Sequence, residues 1–162
     1  MKFKNLEDRM LYFRSLTDYK LIPISYVIIM LDGRSFSKLI KNKFDKPFDN
    51  RFIHYMNETA KHLCKSIEGV KFGYVQSDEI SLVLTDFETE TTDSFFSNRL
   101  SKILSISSSI ASNKFNQLLI TDLIKNCKTK EETIDIISKT KFCEFDCKAW
   151  NVPSYNDVFA WF

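Results

Sequence analysis

The feature that most constrains this chain is the run Ser25-Tyr26-Val27-Ile28-Ile29-Met30-Leu31, which ends abruptly in Asp32-Gly33-Arg34. An unbroken apolar run of this length, rich in β-branched residues, reads as a strand buried on both faces. Such a strand demands neighbouring strands and a covering layer, and here it delivers a carboxylate to the sheet edge at its end. A natural partner is Phe72-Gly73-Tyr74-Val75-Gln76-Ser77-Asp78-Glu79-Ile80-Ser81-Leu82-Val83-Leu84, two strand-like runs joined by a polar Gln-Ser-Asp-Glu tip. That pattern predicts a hairpin with two acids at its turn, its second strand apolar enough to be central. Acids at the ends of two core strands either form turns or build a metal site.

The remaining segments supply the layers. Asn5 and Asp8 predict the start of a first helix with Leu6, Met10, Phe13 and Leu16 at helical spacing, lying across the domain as a lid or brace. Asp49 or Asn50 caps a second helix with Phe52, Met56, Thr59, Leu63 and Ile67 on its inner stripe and Gly69 past its end. A long helix is predicted from Thr92 or Asp93 to about Phe115, with Phe96, Leu100, Ile103, Ser107, Ile110 and Ala111 inward. On it Arg99 and Lys102, three apart, would be neighbours. Thr129-x-x-Glu132 is a capping box for a further helix, and Phe142 to Val152 returns as a strand carrying Asp146.

At 162 residues with 44% hydrophobic residues, fifteen of them Phe, the chain supports one domain with a genuine core. A net charge of +2 marks no nucleic-acid binder by itself, although local patches permit one. The loop with Lys38, Lys41, Lys43 and Lys46 is such a patch or a solvated surface loop. No signal segment or membrane-length apolar run is visible, so a cytoplasmic protein is expected. Cys64, Cys127, Cys143 and Cys147 lack paired zinc-site spacing, and Cys143 and Cys147 would share a strand face with Phe145 as buried small hydrophobes. His54 and His62 read as helix-surface or half-buried residues without a catalytic role.

After the first helix the order strand, helix, strand, strand, helix, strand is the split β-α-β arrangement of ferredoxin-like folds. The expected fold is therefore α+β, a βαββαβ unit with an antiparallel sheet, helices on one face and an added N-terminal helix, filling residues 1–162 as a single domain. In that topology Asp32 and the hairpin tip with Asp78 reach the same side. Two carboxylates brought together repel, and a divalent cation relieves them; oxygen ligands with open positions suit magnesium, which takes substrate phosphates as its remaining ligands. This is the arrangement used for phosphoryl and nucleotidyl transfer with two ions.

The sequence Leu31-Asp32-Gly33-Arg34-Ser35-Phe36, then Phe44-x-Lys46-Pro47-Phe48-Asp49, Gly73-Tyr74-x-Gln76-Ser77-Asp78-Glu79-x-Ser81, Arg99-x-x-Lys102 and Phe145-Asp146 resembles the tRNA(His) guanylyltransferase family in motif and order. The likeness looks closest to its bacterial and phage guanylyltransferase-like branch of reverse polymerases, from about Glu7 onward. The resemblance implies a palm-type nucleotidyltransferase that adds nucleotides to the 5′ end of tRNA or a tRNA-like RNA, with GTP, ATP or other nucleoside triphosphates as substrates. It implies two Mg2+ ions on Asp32, the backbone carbonyl of Gly33 and Asp78, with Glu79 as a neighbouring acid. Lys46, Ser77 and the backbone of Gly33, Arg34, Ser35, Phe36 and Ser37 would contact the activating triphosphate; Lys102 and Arg99 would contact a phosphate of the second nucleotide.

Two departures stand beside the likeness. Phe145-Asp146-Cys147-Lys148 replaces a family pattern ending in Arg, keeping the charge without the guanidinium fork. The family's Trp-Arg-Gln-x-Asp segment and its C-terminal region are absent, so a truncated piece, a fragment whose C-terminal half is a separate chain, or a shortened palm with reduced activity is expected; for partners, a homo-oligomer like the family's tetramers is the alternative to a separate C-terminal half. The alternatives are a triphosphate-binding palm module without polymerase activity, a cyclase-type palm, disfavoured by the absence of a Gly-Gly-Asp/Glu-Glu-Phe hairpin, and a structural domain whose acids only form turns.

Overall fold

The computed structural model describes residues 2–36, 44 and 49–162. Its elements are α1 (Leu6–Ser15), β1 (Tyr26–Arg34), α2 (Asn50–Ser66), β2 (Val70–Gln76), β3 (Glu79–Leu84), α3 (Leu100–Ile124), α4 (Lys130–Lys139), β4 (Glu144–Val152) and α5 (Tyr155–Trp161). The four strands form one antiparallel sheet in the order β2-β3-β1-β4, the expected ferredoxin-like topology.

Strand period and register sort side chains onto two faces. Val27, Ile29 and Leu31 of β1, Ile80, Leu82 and Leu84 of β3, and Phe145 of β4 join one core with α2 and α3. On α2 the buried positions are Phe52, Tyr55, Met56, Thr59, Ala60 and Leu63, a stripe at helical spacing, and Asp49 caps it by accepting from the amides of Arg51 and Phe52. On α3 the buried stripe is Ile103, Ser107, Ala111, Phe115 and Leu119, in steps of four. Ser107 and Ala111, both fully buried, are small enough to let this helix approach the sheet closely. Polar groups fix where β4 begins: the Asn116 side chain both donates to the Cys143 carbonyl and accepts from the Cys143 amide, each at 2.8 Å. The Cys143 and Phe145 side chains are buried together and all four cysteines are free thiols, as their spacing predicts.

Two expectations need correction. The long helix starts at Leu100, not at Thr92 or Asp93, and runs on to Ile124. Ahead of it Phe96, Ser97 and Asn98 all have left-handed φ, which no helix interior accepts. Tertiary bonds hold that turn: the Asn98 side chain donates to Asp86 at 3.0 Å, and the Asn98 carbonyl accepts from Leu21 at 2.8 Å. Phe96 is thereby left exposed rather than inward. The second correction concerns α1, which is capped by Asn5 as expected but has no fully buried residue, so among the described residues it does not lie across the domain as a lid or brace.

A feature that the residue pattern did not foretell is α5, which lies on the sheet face opposite α2 and α3. Trp161 packs edge-on against Trp150 of β4 at 4.9 Å, and Phe162 packs edge-on against Phe72 of β2 at 5.1 Å. Beneath it Ile28 and Val83, which point away from α2 and α3, are nonetheless buried. Among the described residues no helix is long and apolar enough to cross a membrane.

Candidate active site

Residues directly opposite in an antiparallel ladder share a face, so the register reads as rows across the sheet. On the face carrying α5, one row is Phe72, Val83, Ile28 and Trp150, and the next is Tyr74, Ser81, Met30 and Lys148. These two rows meet the aromatic side chains of α5. The third row is Gln76, Glu79, Asp32 and Asp146, and it is polar throughout. The acids therefore arise where the apolar part of this face ends.

Asp32 ends the buried part of β1, with Glu79 of β3 on one side and Asp146 of β4 on the other. Asp78 adjoins them through the backbone: the Gly33 amide donates to the Asp78 carbonyl at 3.1 Å. The hairpin turn is two residues, Ser77-Asp78, and Ser77 takes φ 56° there while its hydroxyl donates to the Asp78 carboxylate at 3.1 Å. Ser35, in the turn after β1, has φ 60°. A non-glycine residue in this region costs of order 1 kcal/mol or more, and the two strained serines flank the acids from both sides.

Gly33 is required by packing. A Cβ there would lie 2.4 Å from Cγ of the Phe36 ring. That ring is buried against Phe52, Phe115 and Phe145, so the turn after Asp32 folds tightly back onto the core. The backbone of Gly33 to Ser35 then borders an open groove of ≈ 630 Å³, with Asp32, Glu144 and Asp146 in its lining.

Electrostatics mark the same spot. Although Asp32 is exposed, the partial desolvation of its carboxyl at the strand end raises its pKa above the ordinary value, and the charges of Asp78 and Asp146 push it further; Lys148 and the Gly33 amide pull it back. Neither Asp32, Asp78 nor Asp146 forms an ion pair among the described residues. Carboxylate oxygens that repel one another beside an open groove fit a hard divalent cation. Among the described residues no three acidic, His or Cys side chains enclose a metal by themselves. A cation here would keep positions for carbonyl, water or phosphate oxygens.

The other expected site residues divide clearly. Phe36 is a core ring, leaving only its backbone for a ligand. The Arg34 guanidinium donates to Glu144 at 2.9 Å on the surface. Ser37 and Lys46 lie outside the described residues. Arg99 and Lys102 are not brought to the acids within one chain. Arg99 precedes α3 and bonds Asp18 at 3.3 Å, and Ile103 next to them lines a cleft with Val27, at the far end of β1. Five strand residues, roughly 17 Å, separate Val27 from Asp32. Asp146 and Lys148, whose charges act on Asp32, have no site role on sequence alone. The Phe145-Asp146-Cys147-Lys148 pattern and its alternation along β4 were the available signals; the alignment of Asp146 and Lys148 with Asp32 is a matter of register.

With this geometry in place, the comparison with known proteins is specific. The sequence profile of the tRNAHis guanylyltransferase family matches residues 7–153. The chain belongs to that family. An uncharacterised protein of Acanthamoeba polyphaga mimivirus is 37% identical over 139 residues, covering 81% of this chain and 47% of that protein. The tRNA(His) guanylyltransferase of Neurospora crassa is 35% identical over 86 residues, 52% of this chain and 28% of that enzyme. The chain thus spans about half the length, or less, of these curated relatives. In three dimensions it is similar to a bacterial tRNA(His) guanylyltransferase-like protein in complex with GTP, with TM-score 0.81, 32% identity, and coverage of 96% of this chain and 62% of that one. The Saccharomyces cerevisiae tRNA(His) guanylyltransferase, at 20% identity and TM-score 0.67, shares the fold.

Proposed function

We propose that this chain is the palm domain of a magnesium-dependent nucleotidyltransferase that adds nucleotides to the 5′ end of tRNA or a tRNA-like RNA in the cytoplasm, using GTP or ATP. The observation that carries the proposal is the row of Glu79, Asp32 and Asp146, joined by Asp78, of which Asp32 and Asp146 line an open groove, in a member of this family. The GTP- and ATP-bound bacterial relatives support a nucleoside triphosphate as the ligand.

In this reading Asp32, Asp78 and the Gly33 carbonyl hold two magnesium ions. The ions, when bound, neutralise triphosphate charge and make the attacking hydroxyl more acidic. The chain's own part is positioning. The Gly33–Asp78 backbone bond locks the two aspartates in mutual register, and the Ser77 hydroxyl aims the Asp78 carboxylate. The backbone amides that follow Gly33, from Arg34 to Phe36, with Ser37 and Lys46, receive phosphate oxygens, and Lys148 places a positive charge beside the acids. Pre-set charge of this kind is the main source of acceleration in phosphoryl chemistry.

A second reading, a triphosphate-binding palm module that does not extend RNA alone, draws on the roughly 17 Å between the acids and the Arg99/Lys102 end of β1. Completing a second nucleotide site then takes another copy or a separate C-terminal half. The test uses labelled GTP, Mg2+ and a tRNA lacking its 5′ nucleotide. RNA lengthened at the 5′ end, and abolished by Asp32→Asn or Asp78→Asn in folded protein, supports the first reading. Unchanged extension in either variant overturns the metal assignment; GTP binding without extension selects the second reading.

A further inference from the structure

The acid row is tied to α5 by a chain of hydrogen bonds whose direction is forced. The Trp161 indole Nε1 lies 3.2 Å from Oγ of Ser81, and that oxygen lies 3.4 Å from Oε1 of Glu79. An indole can only donate, so Ser81 accepts from Trp161 and keeps its single proton for the Glu79 carboxylate. Ser81 is 3% exposed, on a strand whose neighbouring residues Ile80, Leu82 and Val83 are all apolar and buried. A hydroxyl in such a place is costly unless bonded, and both of its bonds lie on this path.

The far end of the path is anchored by aromatic packing. Trp161 stands edge-on to Trp150 at 77°, Phe162 stands against both Phe72 and Tyr74, and Val158 of the same helix is buried. The indole donor is therefore held by contacts to β2 and β4, while Glu79 sits on β3 directly opposite Asp32.

We infer that Trp161 and Ser81 are positioning residues, which fix the Glu79 carboxylate within the row that carries Asp32 and so make that row depend on α5 being docked. The inference rests on the proposed nucleotidyl transfer for its catalytic consequence, but the hydrogen-bonded chain is a property of the fold alone. Groups that orient the acids of such sites typically change activity by roughly tenfold or more when removed.

The test has two arms on the full chain. The first is the side-chain indole N–H resonance of Trp161, one of only two tryptophans. Ser81→Ala and Glu79→Gln should each shift it while leaving that of Trp150 nearly in place. The second arm is the 5′-extension assay. Trp161→Phe keeps the aromatic packing and removes the donor, and Ser81→Ala removes the link. Each should lower kcat about tenfold with little change in the KM for GTP, and the double variant should be no worse than the poorer single one. A Trp161 resonance indifferent to both Ser81→Ala and Glu79→Gln overturns the inference. So do activity losses that multiply in the double variant and follow its melting temperature, the mark of two independent structural defects. If the wild-type chain extends no RNA, that failure belongs to the proposed function, and the indole arm alone decides the positioning chain.

Discussion

Gly33→Ala should destabilise the protein although the backbone conformation at this position is open to alanine, since its φ is not among the left-handed ones. On backbone entropy alone the change would stabilise by roughly 0.4–1 kcal/mol. Against this, the new methyl would meet three atoms of the Phe36 ring at 2.4, 2.5 and 2.7 Å, where carbon atoms normally rest about 3.5–4.0 Å apart. The ring would have to retreat by about 1 Å. It is 1% exposed, with the Phe115 and Phe145 ring centroids at 5.0 and 5.1 Å, so the strain spreads into a packed aromatic cluster. Overpacking of this kind costs about 1–3 kcal/mol, which outweighs the entropy gain and leaves a net loss of roughly 1–2 kcal/mol. At about 2–4 °C per kcal/mol for a chain of this size, the melting temperature should fall by about 2–8 °C. Thermal unfolding followed by circular dichroism measures it, and two variants sharpen it. Gly73→Ala meets the half-buried Cys64 thiol at 2.7 Å and a Leu82 methyl at 3.2 Å, fewer and less severe contacts than the three ring atoms at Gly33, and should cost less. Adding Phe36→Leu to Gly33→Ala should cost less than the sum of the two changes, because the smaller side chain removes the collision. A Gly33→Ala protein that melts with the wild type, or strict additivity in the double variant, would refute the argument that the turn after Asp32 is folded against Phe36.

Three more outcomes are expected. The Asp32 pKa is raised above its ordinary value by partial desolvation and by Asp78 and Asp146; stability from such an acid is present in full below its unfolded value near about 3.9 and is lost as pH rises through the higher folded value. Without divalent ions at neutral pH, Asp32→Asn should therefore raise the melting temperature, by about 1–3 °C after allowing for solvent screening, whereas millimolar Mg2+ should stabilise the wild type and not the variant; equal protection of both by Mg2+ would count against the metal site. Ser77→Gly relieves the φ of 56° but removes the donor to Asp78, so calorimetry should show stability kept or raised by up to about 1 kcal/mol, and 5′ extension should fall roughly fivefold or more. Thr59 is fully buried and its hydroxyl has no hydrogen-bond partner among the described residues, so Thr59→Val should stabilise against urea by about 1 kcal/mol, and a loss of stability would indicate that the hydroxyl is bonded.

Much of the site was legible in the order of residues. The apolar run into Asp32-Gly33 and the Gln-Ser-Asp-Glu tip marked two strand ends, because burial selects β-branched residues and turns select polar ones. The caps at Asn5, Asp49 and Thr129 were equally legible, since each depends on a side chain bonding an amide two or three residues away. The start of α3 was not. Residues 92–99 carry helical spacing, yet the bonds from Asn98 to Asp86 and Leu21, distant in sequence, hold a left-handed turn there. Nor did the apolar spacing of α1 foretell its environment, because periodicity shows which face could be buried and not whether anything lies against it.

Residue order was enough for the strands and for the capped helices, since caps, turns and periodicity depend on interactions between residues close along the chain. It took the assembled sheet to establish that Asp146 and Lys148 stand beside Asp32, that Arg99 and Lys102 do not, and that α5 covers the face from which Glu79 projects. Register is the reason: a shift of one residue between β1 and β4 would send Asp146 to the core face. What sets it is the packing of Phe145 against Phe36 and Phe115 and the bonding of Cys143 to Asn116, contacts between residues far apart in the chain.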